Sequence, residues 1–367
     1  MTELLVFADL HAHNFKEFDE RTAGTSSVRL DYIVETIYSM GDYALEHGIR
    51  TILFAGDLFH VRAKVNTLVY NAIFNAISDL TNDTEIEFVM IPGNHDQLDN
   101  SDYPEHSLAP FSAIHNVTIL DKIKFYDVGN VSILSVPYSK NTTMVREKIA
   151  ERCDYRGKID TPAIMLGHLG VTGGLVGKGN YAMADAFTVD DLMPDYFKGV
   201  YLGHFHKYQK LGGHDHVMYI GAPIQHSFSD EGEPKGFVHI TVNDDNTVDN
   251  KFVALEVMSQ SGNKFPTFHT VKFPEEIADI SKHAENNNNS YFRFLVKESE
   301  VDTLKLAIPE NAKYKLEITR EYAEQQRTDV KVGMSFEEIV KTYAEEHNPI
   351  ATELGLDILK EASENRV

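Results

Sequence analysis

Five short apolar runs in this chain each end in a polar cluster rich in Asp, Asn or His, and that repetition limits the fold more than any other feature. The runs are residues 3–8, 51–55, 86–91, 163–166 and 199–202. Behind them stand Asp9-Leu10-His11, Gly56-Asp57-Leu58-Phe59-His60, Pro92-Gly93-Asn94-His95-Asp96, Gly167-His168 and Gly203-His204-Phe205-His206, in that order. Short, nearly continuous apolar runs read as strands buried on both faces. Helical patterns at 28–47 and 66–80 separate the first three runs; Leu30, Ile33, Val34, Ile37 and Tyr38 stand near helical spacing, and Gly48 fits the end of that helix. Strands alternating with helices predict a layered α/β fold, in which functional groups collect beyond the carboxyl ends of the strands. Further strand candidates lie at 117–120, 131–136 and 218–220.

A chain of 367 residues predicts two or three domains. No stretch approaches the ~20 apolar residues of a membrane span. Residues 1–20 lack the basic-then-apolar order of a signal peptide, and the single cysteine, Cys153, fits a reducing compartment. A cytoplasmic location is the expectation. The net charge of −22 points away from a free-standing nucleic-acid binder, since phosphate binding draws on surplus Lys and Arg. Metal ions or a basic partner could supply the missing charge; high solubility is the plainer consequence.

The pattern changes near 262–267, which predicts a main domain over 1–260 and a small α+β unit over 265–325. That unit has strand patterns at 269–273, 291–296 and 314–318, and a polar asparagine run at 286–289 reads as a loop. Residues 330–367 form a helical segment: Ser335 and Glu338 make a capping box, Phe336, Ile339, Val340 and Tyr343 form one stripe, and Asn348-Pro349 precedes a second amphipathic helix at 350–362. Two such helices either dock a partner or pack back on the main domain. The helix at 66–80 is apolar on most sides, which reads as burial on two faces and a possible contact between copies.

Each polar cluster carries ligand chemistry. Residues i and i+2 of an extended segment point the same way, so Asp9 and His11 can reach one ion together. Gly56 permits a tight turn, and Asp57 can offer its two oxygens to two ions at the ~3.5–4 Å spacing of two-metal hydrolysis. A turn aspartate bonded to its own backbone is the other reading of Asp57 taken alone. Asn94 can ligate through its amide oxygen, and His95 can protonate a departing oxygen. An Asx turn would account for Asn94 but not for its neighbours. His168 is a further imidazole ligand candidate, and His204 and His206 can share a side and serve different ions. One histidine is more often structural than a ligand; five clusters with suitable ligand types jointly predict a metal site. His13, His214, His216 and His226 read as surface or supporting groups, and the Gly-rich stretch 172–180 as a mobile loop or a long turn.

The order of these motifs resembles the calcineurin-like metallophosphoesterase superfamily and, within it, the SbcD nuclease subunit and its phage and eukaryotic double-strand-break-repair relatives. The resemblance covers residue 1 to about 255 by specific motifs and the later segments by order and size. Protein phosphatases of that superfamily carry Asp-Arg in the motif where this chain has Phe59-His60, and Glu where it has Asp96. Tyr219-Ile220-Gly221-Ala222-Pro223, followed by Ser227-Phe228-Ser229 and Lys235-Gly236, looks like the SbcD pattern. The resemblance implies a four-layer αββα sandwich, a small α+β capping domain that positions DNA, and C-terminal helices that grip an SbcC-like coiled-coil ATPase. It implies two divalent ions, manganese or magnesium: one held by Asp9, His11, Asp57 and His206, the other by Asp57, Asn94, His168 and His204. His95 would be the general acid, and His60 would stabilise the phosphate or help position His95. The implied activity is exonucleolytic and endonucleolytic cleavage of DNA by a homodimer; a small-molecule or cyclic-nucleotide phosphodiesterase is the alternative. One departure is Ala12-His13, where SbcD-like chains have an apolar residue and Gly.

Overall fold

The computed structural model describes residues 1–19, 27–157, 161–176, 179–180, 186–277, 289–309, 312–319, 333–347 and 349–364. The chain begins with β1 (Thr2–Phe7), α1 (Val28–Glu46), β2 (Thr51–Phe54), α2 (Thr67–Asp83), β3 (Glu87–Met90), β4 (Val117–Ile119), β5 (Lys124–Val128) and β6 (Val131–Val136). Then come α3 (Thr142–Arg156), β7 (Ala163–His168), β8 (Leu175–Val176), β9 (Gly179–Asn180), β10 (Gly199–Gly203), β11 (Gln209–Leu211), β12 (His214–Tyr219), β13 (Gly236–Val242) and β14 (Val248–Ala254). The last elements are β15 (Phe268–Lys272), β16 (Tyr291–Lys297), α4 (Val301–Ala307), β17 (Lys313–Thr319), α5 (Phe336–His347) and α6 (Thr352–Glu364).

Two six-stranded sheets, ordered β14-β13-β1-β2-β3-β4 and β11-β12-β10-β7-β6-β5, carry the fold. Alternation along β1 explains the packing. Leu4, Val6 and Ala8 point into a core shared with Ile133, Ile164 and Leu166 of the second sheet. Leu5 and Phe7 point the other way, onto Ile33 and Ile37 of α1 and Ile73 and Ile77 of α2. The second sheet repeats this scheme: Leu134, Val136 and Met165 face Val145, Ile149 and Cys153 of α3. The layers therefore run helix, sheet, sheet, helix, and central strands buried on both sides have the unbroken apolar runs seen in the sequence.

Caps fix the helix starts. Ser27 caps α1, Asn66 accepts the Leu68 N–H at 2.8 Å, and Asn141 accepts the Met144 N–H at 3.1 Å. The breadth of α2 has a cause within the chain: Tyr70 and Phe74 pack on Phe111, and Tyr70 stacks on Phe59. Several elements escape the expectations above, among them α3, β5, β11, β13 and β14. Helix α3 has an apolar stripe only one residue wide, interrupted by Arg146, Glu147, Lys148, Glu151 and Arg152. Strands β5 and β14 are half solvated at sheet edges and carry polar residues, and β13 lies beside β14. The Gly-rich stretch is in part a hairpin, β8 with β9, and Gln209 ties it down through Leu175 N and O at 2.7 and 3.0 Å.

Residues 1–296 with 302–317 form one compact unit, and residues 297–301 with 318–367 another. In the first, a three-stranded sheet, β15-β16-β17, begins at an aromatic cluster of Phe18, Phe228, Phe268 and Tyr291. In the second, the capping box forms, with Ser335 N donating to Glu338 Oε2 at 2.7 Å and Glu338 N donating to Ser335 Oγ at 3.3 Å. Residues 286–288 of the asparagine run lie outside the described residues. No described helix is long and apolar enough to cross a membrane.

The packing of α3 is testable. Ile149→Ala should cost about 2–5 kcal/mol in denaturant unfolding, while Tyr155→Ala, on the exposed face of the same helix, should stay within about 0.5 kcal/mol. Equal effects would contradict this placement.

Candidate metal centre

Parallel pairing brings the five polar clusters level. Phe7 pairs with Phe54 and Phe54 with Met90 in one sheet, while Gly203 pairs with His168 in the other. The chain turns sharply just beyond. Asp9 (φ +54°), His11 (+46°), Asp57 (+64°) and His204 (+104°) all occupy the left-handed region without being glycine. Such backbone costs about 1–3 kcal/mol per residue and persists where the surroundings over-determine it. Asp96 is one such constraint. Its carboxylate accepts the N–H groups of Asp57 (2.8 Å), Leu58 (2.9 Å), Phe59 (3.2 Å) and Gly93 (2.9 Å), stapling the loop after β2 to the loop after β3. Burial, and then the Asp57 charge, push the Asp96 carboxyl up to about 7 against those four donors. Gly93 is required here, because a Cβ would run into Asp57 Oδ1.

Donor atoms converge in three overlapping groups; two hold the ligand candidates, and the third joins His11, Asp57 and His95. Asp9, His11 and His206 bring donor atoms within 4.8 Å of one another, and so do Asp57, His168 and His204. Asn94 Oδ1 completes the second group, 3.1 Å from His168 Nε2 and 2.9 Å from His204 Nδ1. Asp57 Oδ2 stands between the groups, 3.3 Å from His168 Nε2 and 3.7 Å from His11 Nε2. His11 Nε2 and His206 Nε2 are 2.9 Å apart. Two donors at right angles on an ion with ~2.1 Å bonds stand about 3.0 Å apart. The observed spacings are those of coordination edges, so the donor set fits two divalent cations.

The charge balance agrees. Asp9 and Asp57 are 0% and 2% exposed, and among the described residues no Lys or Arg pairs with either. Burial raises the Asp9 carboxyl above its ordinary range against the pull of His168 and His206. Burial opposes charge on Asp57 as well, but His168 and His11 hold its carboxyl well below the usual range. Burial likewise works against charge on His168, yet Asp57 holds that ring up to about 9. Burial pushes His204 down to about 3, which leaves the ring neutral.

His168 Nδ1 donates to Ala55 O at 2.7 Å, which fixes the tautomer and leaves Nε2 for a cation. His95 is held differently. Its main-chain N–H donates to Asp57 Oδ1 at 2.8 Å, and its Nδ1 donates to the main-chain carbonyl of His60 at 2.6 Å. His95 Nε2 is then the nitrogen available for proton transfer. His60 therefore acts on His95 through its backbone, while its exposed ring stacks beside His95 at 5.9 Å.

Two supporting residues, Tyr138 and Asp230, were not singled out in the sequence, and Lys235 and Tyr219 entered there only as parts of a motif. Tyr138 lies 5.9 Å from the His204 ring. Asp230 pairs with buried Lys235 at 2.9 Å, and Lys235 Nζ donates to His206 O at 2.8 Å. Tyr219 Oη donates to Leu169 O at 2.8 Å and accepts the Val171 N–H at 2.7 Å, bracing the loop after His168. Of the other histidines, His13 and His226 line a cavity of about 510 Å³ beside His11 and His206. His216 instead reaches Pro194 O at 3.1 Å, with His214 at its side.

Among solved structures the chain is similar to a putative 5′-nucleotidase from Staphylococcus aureus, at 10% identity and a TM-score of 0.41 over 68% of this chain and 53% of that one. It thus spans about half the length of that protein. It is also similar to GAP50 of Plasmodium (12% identity, TM-score 0.46, 88% of this chain and 98% of that one). A third similar structure is the nuclease MPE of Pseudomonas putida (18% identity, TM-score 0.24, 48% and 66%). Residues 2–208 match the family described as calcineurin-like phosphoesterase. With more than half its length matched and an Asp/His donor set suited to divalent cations at the strand ends, the chain belongs to the calcineurin-like phosphoesterase family.

Proposed function

We propose that this phosphoesterase is a metal-dependent DNA nuclease subunit that works with an SbcC-like ATPase. The observation that carries the reading is the Asn94-His95 pair. Asn94 Oδ1 sits between two imidazoles of one donor group, while the next residue is held by His60 O with its outer nitrogen left for proton transfer. Asp9, His11, Asp57 and His206 would hold one ion, and Asp57, Asn94, His168 and His204 the other; manganese is the proposed metal. When bound, the ions supply an activated water and stabilise charge on the phosphoryl oxygens. With both ring nitrogens protonated, His95 would give its Nε2 proton to the departing sugar oxygen while Nδ1 keeps its bond to His60 O. His60 O fixes the orientation of that ring, and the His60 ring borders the phosphate.

Three features support DNA as the substrate. The SbcD-like residues Tyr219 and Lys235 have definite structural work at the site, bracing the His168 loop and the His206 backbone. The three-stranded sheet lies against the loop carrying Phe228 and is proposed as the capping domain. The C-terminal helices leave Phe336, Tyr343, Leu354 and Ile358 between 54% and 73% exposed, an apolar stripe suited to a coiled-coil partner. Such a partner could hold the duplex for a chain of net charge −22.

His95→Asn should lower manganese-dependent cleavage of end-labelled duplex DNA by about 100- to 10,000-fold. Undiminished cleavage would refute the acid assignment, and hydrolysis of nitrophenyl phosphodiesters without cleavage of DNA would favour a small-molecule phosphodiesterase. Deleting residues 330–367 should preserve manganese-dependent cleavage and abolish co-purification with the ATPase; retained association would refute the docking role.

A further inference from the structure

We infer that the cavity beside His11 and His206 is a nucleoside pocket, with His13 and Phe15 as the wall that receives the base of the nucleotide being cleaved. The inference rests on the two-cation reading of the site and adds to it what the substrate must carry next to its scissile phosphate. The cavity measures about 510 Å³, within the ordinary size of small-ligand sites, and opens directly on two ligand candidates, His11 and His206. A phosphate on the cations would leave its attached nucleoside at this opening.

Ring surfaces dominate one side. His13 packs edge-on to Phe15 at 5.1 Å and lies 5.3 Å from the exposed ring of His60. Phe15 is backed by the Arg29 guanidinium at 4.4 Å. Arg29 is itself immobilised, since it is buried and donates to His226 O at 2.6 Å and to Glu17 O at 3.2 Å. A fixed stack of cation and ring is a platform for a base, because every base has a π-face. The other side is polar. Ser227 and Ser229 bond each other at 2.7 Å and can turn their hydroxyls toward a base edge. His226 is 8% exposed, and its buried Nε2 has no hydrogen-bond partner among the described residues. His13 gives the pocket its particular character. The SbcD pattern has glycine there, yet the backbone of His13 is not left-handed, so the position demands no glycine and the imidazole stands as an added ring.

The test compares two substrates of the full-length protein with manganese, thymidine 5′-(p-nitrophenyl phosphate) and methyl p-nitrophenyl phosphate. They share the reacting bond and differ in the nucleoside. In Phe15→Ala and in His13→Gly, the ratio of kcat/KM for the thymidine ester over the methyl ester should fall about tenfold, the scale of one base–aromatic stack. Phe15→Tyr should restore it. Partial misfolding lowers both rates and cancels in the ratio. An unchanged ratio in both variants overturns the pocket. Neither ester is DNA, so a protein that shows the predicted ratios but leaves duplex ends intact keeps the pocket and loses the nuclease reading.

Discussion

Two carboxylates, Asp9 and Asp57, are buried at strand ends without a Lys or Arg partner among the described residues. Isolated buried carboxylates are too costly to stand alone. The fold meets that cost in part with main-chain donors: His204 N reaches both Asp9 oxygens at 3.0 and 3.1 Å, and His95 N reaches Asp57 at 2.8 Å. Those bonds require the chain to bend back over each strand end, which is why four ligand candidates adopt left-handed backbone. The staple at Asp96 and the ion pair of Asp230 with Lys235 hold the bent loops in register. Two cations would satisfy what the backbone leaves unmet.

In the proposed roles the same arrangement would separate binding from proton transfer. His168 Nε2 lies 3.1 Å from Asn94 Oδ1, while His95 is held through Nδ1 by the His60 carbonyl. Where the three-stranded sheet meets the loop beyond His226, Arg293 and Lys315 lie over Phe228 at 4.9 and 4.7 Å. Each is also paired with a carboxylate, Arg293 with Glu317 at 3.7 Å and Lys315 with Glu17 at 2.7 Å, so their charge is balanced locally.

Much of this was legible in the sequence because central strands buried on both faces cannot hide their composition. The runs ending at Ala8, Ala55 and Ile91 marked β1, β2 and β3 to within about a residue or two, and the clusters behind these and behind the runs at 163–166 and 199–202 supplied every donor grouped among the described residues. The capping box at Ser335 and Glu338 was legible because it depends on local spacing alone. Helix α3 and strand β14 were not, since their buried sides are narrow and their charged sides obscure the period. The role of Asp96 depends on bonds across 37 to 39 positions, that of Asp230 on a Lys235 whose ammonium reaches His206 across 29 positions, and that of Tyr138 on ring packing, which no local pattern encodes. Part of the broad apolar surface of α2 has its cover within the chain, where Phe111 packs on Tyr70 and Phe74.

The central claim is that one set of buried donors holds two cations with Asp57 between them. Manganese binding measured by titration calorimetry tests it most directly. The wild-type protein should bind two ions per chain, His168→Ala should bind one, and Asp57→Asn should lose high-affinity binding at both positions. A stoichiometry of one in the wild type, or two ions retained in Asp57→Asn, would contradict the account.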